Sequence, residues 1–298
     1  MIYSWTFVMV LFTAACFAGF LGALLGVGGG IIIVPAMILI SHLPVKVAVA
    51  ASLVSVIATS NAGGSSYVDQ RISNLRLAMF LEMATTIGAL SGSVLALYLQ
   101  AWTMLLIFAA LLAYMGYTSF TTRRLDDRRI AGGDFTRAKP DRLAAFLQLR
   151  GHYHDEAEDK QVQYVISGTG PGLAISYLAG VTSGLLGVGG GVLKVSAMNQ
   201  SMNVPMKVAV GTSKLMIGVT AAVGAILFFF AGLIHFHVVA PVALGTTLGA
   251  TLGTMVMNRL RSWLLKWLFA VLMIYLAYNM VAKALALRFH IVLPALGS

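Results

Sequence analysis

Apolar residues run along this chain in long blocks separated by short polar gaps. A helix needs about 20 residues to cross about 30 Å of hydrocarbon at 1.5 Å per residue. Five apolar blocks lie in the first half, near Trp5–Leu25, Ile31–Ile40, Val45–Ser60, Leu75–Leu99 and Trp102–Phe120. Five more lie in the second, near Gly172–Leu186, Val192–Ser201, Met206–Phe230, His237–Val256 and Trp263–Leu287. The second block of each half is too short for an ordinary span. The pattern predicts an all-α polytopic membrane protein with two transmembrane repeats, residues 1–120 and 164–298. A charged cytoplasmic loop, 121–163, joins them. The run from Trp5 lacks a positive leader and is long enough to span, so it reads as a retained first segment.

The two halves repeat each other. Residues Gly26–Ser52 align without gaps on Gly187–Ser213, and fourteen of 27 positions are identical. Gly26-Val27-Gly28-Gly29-Gly30 matches Gly187-Val188-Gly189-Gly190-Gly191, and Pro44-x-Lys46-Val47-Ala48-Val49 matches Pro205-x-Lys207-Val208-Ala209-Val210. Matching glycines, prolines and lysines in one register point to duplication of a unit centred on a glycine break.

Composition sharpens this picture. The chain is 59% hydrophobic and only 10% charged, against about 25% charged in soluble domains. A soluble enzyme could not cover its surface with so few charges. The net charge of +10 does not form a basic face, so nucleic acid is not an expected partner, whereas the lipid bilayer is. Thr121 to Lys160 holds nine of the twenty Lys/Arg and eight of the ten Asp/Glu. That region reads as a solvated loop with one short amphipathic helix around Leu143–Leu149. The pattern His152-x-His154-Asp155-Glu156 reads as acidic linker rather than a metal site, and the lone Cys16 as a small buried or lipid-facing side chain. No cofactor and no catalytic constellation is implied.

Cations set the expected topology, because they favour cytoplasmic loops. Arg71 and Arg76 precede the fourth segment, whereas Arg259, Arg261 and Lys266 lie between the ninth and tenth. Equivalent loops of the two repeats then face opposite sides, the signature of an inverted repeat.

Three consecutive glycines inside a membrane segment break a helix where unsatisfied backbone groups cost several kcal/mol. In secondary transporters, such breaks at matching positions of two repeats point to the substrate site. Gly28, Gly29 and Gly30, with Gly189, Gly190 and Gly191, are therefore candidate substrate-binding residues. The alternative is close helix packing, which suits Gly19, Gly22, Gly180 and Gly184. Lys194, three residues past the second break, and Lys214, deep in the eighth segment, sit at membrane depth. A lysine there needs a counter-charge, yet no Asp or Glu follows Asp159. The two lysines are therefore deprotonated, face water, snorkel to an interface or receive an anion from outside, and an anionic substrate would supply the missing charge. Ser52, Thr212 and Ser213 add donors suited to an oxyanion, and Lys46 and Lys207 read as interfacial. Glu82 is the lone carboxylate within a span and a candidate for ion coupling; an interfacial pair with Arg76 is the alternative.

At the repeated Gly-Val-Gly-Gly-Gly motif, its Pro-x-Lys-Val-Ala-Val continuation and the later Thr-Ser, the sequence resembles the sulfite exporter TauE/SafE family of membrane transporters. The resemblance covers roughly 7–120 and 170–287. The second copy departs from the motif, with Ser196 in place of Pro35 and Lys194 inserted in the apolar run. The resemblance implies export or uptake of small anions, mainly sulfite and organosulfonates, and the reading taken is a secondary transporter in the cell membrane working as an exporter. With no nucleotide-binding domain, the energy comes from a gradient of H⁺ or Na⁺ or from the substrate itself. A membrane channel and a membrane-embedded sensor or enzyme are the competing readings, and a homo-oligomer is compatible with all three.

Overall fold

A computed structural model describes residues 5–24, 29–69, 73–121, 135, 140–155, 160–257 and 262–289. The first half contains α1 (Trp5–Leu24), α2 (Gly30–Ile40), α3 (Val45–Asp69), α4 (Leu75–Tyr98) and α5 (Ala101–Thr121). The connecting region carries α6 (Arg142–Phe146), β1 (Arg150–Asp155) and β2 (Lys160–Val165). The second half contains α7 (Thr169–Leu186), α8 (Gly191–Ser196) with a π-helical turn over Ala197–Ser201, α9 (Met206–Phe230), α10 (Phe236–Met257) and α11 (Ser262–Phe289). Among the described residues, five helices are long and apolar enough to cross a membrane, within α1, α4, α9, α10 and α11. The chain is an all-α polytopic membrane protein, and the second helix of each half is short, as its sequence length required.

The duplication runs further than the repeated motif. Helices α2, α3, α4 and α5 each begin 161 residues before α8, α9, α10 and α11. The halves are not separate bundles, because their helices pair across the molecule: α1 with α10, α4 with α7, α5 with α11 and α3 with α9. Along α1 and α10 the contacts ascend together, Gly245 on Phe12, Gly249 on Cys16 and Gly253 on Phe20, so this pair is parallel. So is the pair of α4 with α7, where Gly88 and Gly92 meet Tyr177 and Val181, and Gly180 and Gly184 meet Thr85 and Ala89. Repeat mates run the other way. Leu53 lies beside Gly224 and the Ser60 hydroxyl donates to the Lys214 carbonyl at 2.6 Å, so α3 and α9 are antiparallel. Gly116 sits against Ile274 while the Arg288 guanidinium covers Trp102, so α5 and α11 are antiparallel too.

Glycine makes these approaches. Lipid gives helices no hydrophobic reason to associate, so dispersion between close backbones must hold them. At Gly249, Gly88, Gly92, Gly180 and Gly184 an added Cβ would fall on a carbonyl oxygen of the partner helix.

The connecting region is more than a solvated loop. The strands pair antiparallel, Arg150 with Val165 and Tyr153 with Val162. Tyr153 and Tyr164 are buried with Phe135, Leu149 and Ile166 against Leu77 and Leu81 of α4 and Met198 and Met202 of the π turn. Polar ties fix the dock: the Asn74 amide donates to the Tyr164 hydroxyl at 2.9 Å, and Asn203 donates to the carbonyls of Phe135 and Val165 at 3.0 and 3.2 Å. The Thr169 amide and hydroxyl both donate to the Asp141 carboxylate. Arg150–Asp155 forms a hairpin strand because Tyr153, with Tyr164 of the opposite strand, has a membrane-domain surface to cover.

The glycine contacts predict opposite signs at two positions. Gly249→Val should lower thermal stability in detergent by an overpacking cost of about 1–3 kcal/mol or more. Gly170→Ala, where a Cβ meets nothing within 4 Å, should be neutral or raise it by about 0.5–1 kcal/mol.

Candidate functional site

The two glycine breaks meet at the centre of the molecule, between α3 and α9. Gly187, Gly189 and Gly190 have φ of 72°, 77° and 66°, a region that glycine enters without steric cost. The Ser52 hydroxyl crosses from α3 to donate to the Gly187 carbonyl at 2.7 Å, with the Gly30 carbonyl 3.5 Å away. Its repeat mate, Ser213, donates to the Gly191 carbonyl at 3.2 Å. Val56 of α3 and Ile217 of α9 pack over Gly189. The Ser52 hydroxyl thus satisfies the Gly187 carbonyl at the end of α7, and Ser213 adds a bond to the first carbonyl of α8. Contact here is tight. A Cβ on Gly30 would meet the Gly187 carbonyl at 2.8 Å, and one on Gly191 would meet Ile217 Cδ1 at 2.6 Å. Gly29 is looser, with Ile33 Cδ1 as the nearest atom at 3.1 Å. Gly28 lies outside the described residues.

One turn beyond the second break, Lys194 points into the protein and is fully buried. Its Nζ donates to Thr220 Oγ1 of α9 at 2.5 Å. The same Thr220 oxygen is 2.8 Å from Glu82 Oε1 of α4 and 2.8 Å from the Met216 carbonyl. Having one hydrogen, the hydroxyl donates to one of these acceptors at a time. Lys194 Nζ also lies 4.0 Å from Glu82 Oε2, an oxygen that is buried and makes no hydrogen bond. The chain thus supplies the lysine's counter-charge itself, from the opposite half. Burial strips the ammonium of water and the carboxylate of most of it, so attraction and hydrogen bonds must offset a desolvation cost of up to several kcal/mol per ion.

The remaining sequence candidates separate. Thr212 is buried but turns to the base of α4, where its hydroxyl accepts the Asn74 amide at 3.0 Å. Lys214 is half-buried and precedes Thr220 by six residues, about 9 Å along the helix. Lys46 caps the last turn of α4 through the Leu97 carbonyl at 2.5 Å, and Lys283 caps α2 through the Ile38 carbonyl at 2.6 Å; both stabilise the negative end of a helix. Arg71, Arg259 and Arg261 lie outside the described residues. Among the described residues, no group of three or more His, Cys, Asp or Glu could hold a metal ion. Sequence reasoning missed Thr220. Its one signal is placement in the span that also carries Lys214, and threonines in spans more often bond to their own backbone.

The ion pair predicts non-additive stability. At neutral pH, Lys194→Met or Glu82→Gln alone leaves a buried charge uncompensated and should cost about 3–5 kcal/mol. The double variant removes both charges and should recover most of that loss. The check is a double-mutant cycle by thermal unfolding in detergent, in which additive losses would show the two residues to be uncoupled.

Among curated proteins, the chain is 24% identical over 234 residues to a probable membrane transporter protein, YunE, of Bacillus subtilis (strain 168), covering 76% of this chain and 80% of that protein. It is 26% identical over 201 residues to a probable membrane transporter protein of Xylella fastidiosa (strain 9a5c), covering 67% and 66%. No solved structure matches it. The sequence profile of the sulfite exporter TauE/SafE family matches residues 11–280. With both glycine breaks and both helix sets inside that match, the chain belongs to the sulfite exporter TauE/SafE family.

Proposed function

We propose that this protein is a secondary transporter that exports small sulfur-containing anions, sulfite or organosulfonates, across the cell membrane. Transport rather than catalysis fits its family and relatives. The observation that carries the reading is Lys194: a fully buried lysine one turn past a glycine break, at the crossing of two duplicated units. A fixed ammonium beside a glycine break is equipment for an anion, and its carboxylate neighbour balances its charge while no anion is bound. The breaks at Gly28–Gly30 and Gly189–Gly191 form the part of the path that opens. Ser52 and Ser213, now bonded to break carbonyls, and Thr212 and Lys214 of α9 are second-line ligands once it does. The functional unit is a single chain or a homo-oligomer; nothing in the mechanism requires a second copy.

We also infer that the repeats are inverted. Mates related by an axis in the membrane plane must be antiparallel, and α3 with α9 and α5 with α11 are so arranged. Mates related by an axis along the membrane normal would be parallel.

Two measurements test these readings. Proteoliposomes should accumulate at least one of sulfite, thiosulfate, sulfoacetate, taurine or sulfate under an imposed H⁺ or Na⁺ gradient; Lys194→Met should reduce that uptake at least tenfold. No uptake of any anion would remove the transport reading. For topology, Ser73→Cys and Ala231→Cys in a Cys16→Ser background should be labelled by an impermeant thiol reagent from opposite sides. Labelling from one side would favour a parallel duplication.

A further inference from the structure

We propose that the coupling ion is a proton, that it binds Glu82 at Oε2, and that it binds together with the anion at Lys194. This inference rests on the anion reading above and adds the coupling ion, its site and the sign of the coupling. Three observations carry it.

The first is charge. Lys194 and Glu82 form a pair of zero net charge, the lysine fully buried and the carboxylate largely so. An anion arriving at Lys194 alone would leave the site at minus one, with two negative groups competing for one ammonium. Like charges at close range disfavour each other's ionised forms. An anion arriving with a proton on Glu82 leaves the site neutral again. Anion and proton therefore favour each other's binding, and by reciprocity each raises the other's affinity by the same factor.

The second is the hydrogen-bonding pattern. Glu82 Oε1 accepts from Thr220, whereas Glu82 Oε2 has no donor and lies 4.0 Å from the ammonium. A single free carboxylate oxygen is enough for a proton. When Oε2 takes one from the medium, the carboxyl becomes neutral and its hold on the ammonium weakens. Thr220 keeps the Met216 carbonyl as acceptor at 2.8 Å, so its hydroxyl stays satisfied. In this step no proton leaves Lys194, and its charge becomes available to the anion. Thr220 is the positioning residue: it touches both partners and holds the ammonium within reach of either.

The third is the poor fit of the site to sodium. A hard cation needs several oxygens around it and would here sit beside an ammonium. Two carbonyls at the second break already accept from serine, Gly187 from Ser52 and Gly191 from Ser213. On the helices packed around the pair, the other titratable residues are Arg76 and Tyr98 on α4, Tyr177 on α7, Lys207 and Lys214 on α9, and Lys46, Tyr67 and Asp69 on α3. Asp69 is the last residue of α3, about 14 Å along the helix past Ser60, so Glu82 is the carboxylate placed to take the proton at the pair.

The experiment is calorimetric binding to the purified full chain in detergent, between pH 5 and 9. The probes are methanesulfonate and sulfoacetate, whose sulfonates do not titrate in this range. Each titration is run in two buffers of different protonation enthalpy, so that protons taken up per anion are counted directly. Wild type should take up about one proton per methanesulfonate where Glu82 is ionised, and its Kd should rise by up to about tenfold per pH unit there. Replacing Na⁺ with choline should change nothing. Glu82→Gln mimics the protonated acid and should bind the anion tightly with no proton uptake and no pH slope. Glu82→Asp, which keeps a titratable group, should retain uptake with a displaced pH midpoint. Binding without proton uptake in wild type, or uptake unaltered in both variants, overturns the proton site while leaving the anion reading intact. Absence of binding heat in wild type with both sulfonates removes the anion reading for this class, and the proton proposal with it.

Discussion

A backbone carbonyl or an ammonium without a partner in hydrocarbon costs several kcal/mol, and this chain places both at its centre. Two helices are interrupted at the same point of a duplicated unit, so peptide groups that would pair within a helix are released where no solvent can take them. The structure answers by making each half complete the other. The Ser52 hydroxyl of one half satisfies the Gly187 carbonyl of the second. Glu82 of one half, through Thr220, balances Lys194 of the other. Neither half could be buried in lipid alone with these groups unpaired. Cross-pairing of α1 with α10 and α4 with α7 is the packing consequence, and the small residues that line those pairs allow it.

Much of this was legible because a membrane restricts what a sequence can mean. Apolar length gave nearly every helix, and the exact repeat of Gly, Pro and Lys gave the duplication. The offset of 161 then carries through every helix start from α2 to α5. Gly180 and Gly184 were readable as packing positions from spacing alone. The breaks were readable too, since three consecutive glycines weaken a helix more than packing alone requires. Their surroundings were not: whether a break faces water or a neighbour depends on tertiary contact, and here Val56, Ile217 and two serines fill the space.

The least legible parts are those where distant polar groups meet. Lys194 lacks an acid within its own half, and an outside anion was the natural inference. The acid was present 112 positions earlier, on a helix whose parallel partner is α7. Local pattern carries no information about such a pair. The hairpin is a similar case. Its charges read as solvated linker; Tyr153 and Tyr164, one on each strand, are buried because α4 and the π turn offer an apolar face. One tyrosine per strand in a charged stretch is too weak a signal to outweigh the composition around it.

The duplication makes the asymmetry of the site informative. At the offset of 161, Lys194 corresponds to Ile33, Thr220 to Thr59 and Glu82 to Ala243. Only the threonine is kept, and in the first half its hydroxyl turns back to the Ser55 and Val56 carbonyls of its own helix. The scaffold therefore does not need the ion pair: a buried isoleucine fills the mate of the lysine site. Replacing a buried pair by apolar side chains is often neutral or stabilising, so stability alone gives no reason to retain the pair. Its members also belong to different halves, Glu82 to the first and Lys194 to the second. Any motion of one half against the other must stretch the contact or carry it along. A charge pair across a moving boundary resists that motion until something neutralises one partner or takes its place. The same two groups that make the interior electrically tolerable are thus placed where a change of charge alters how the halves fit.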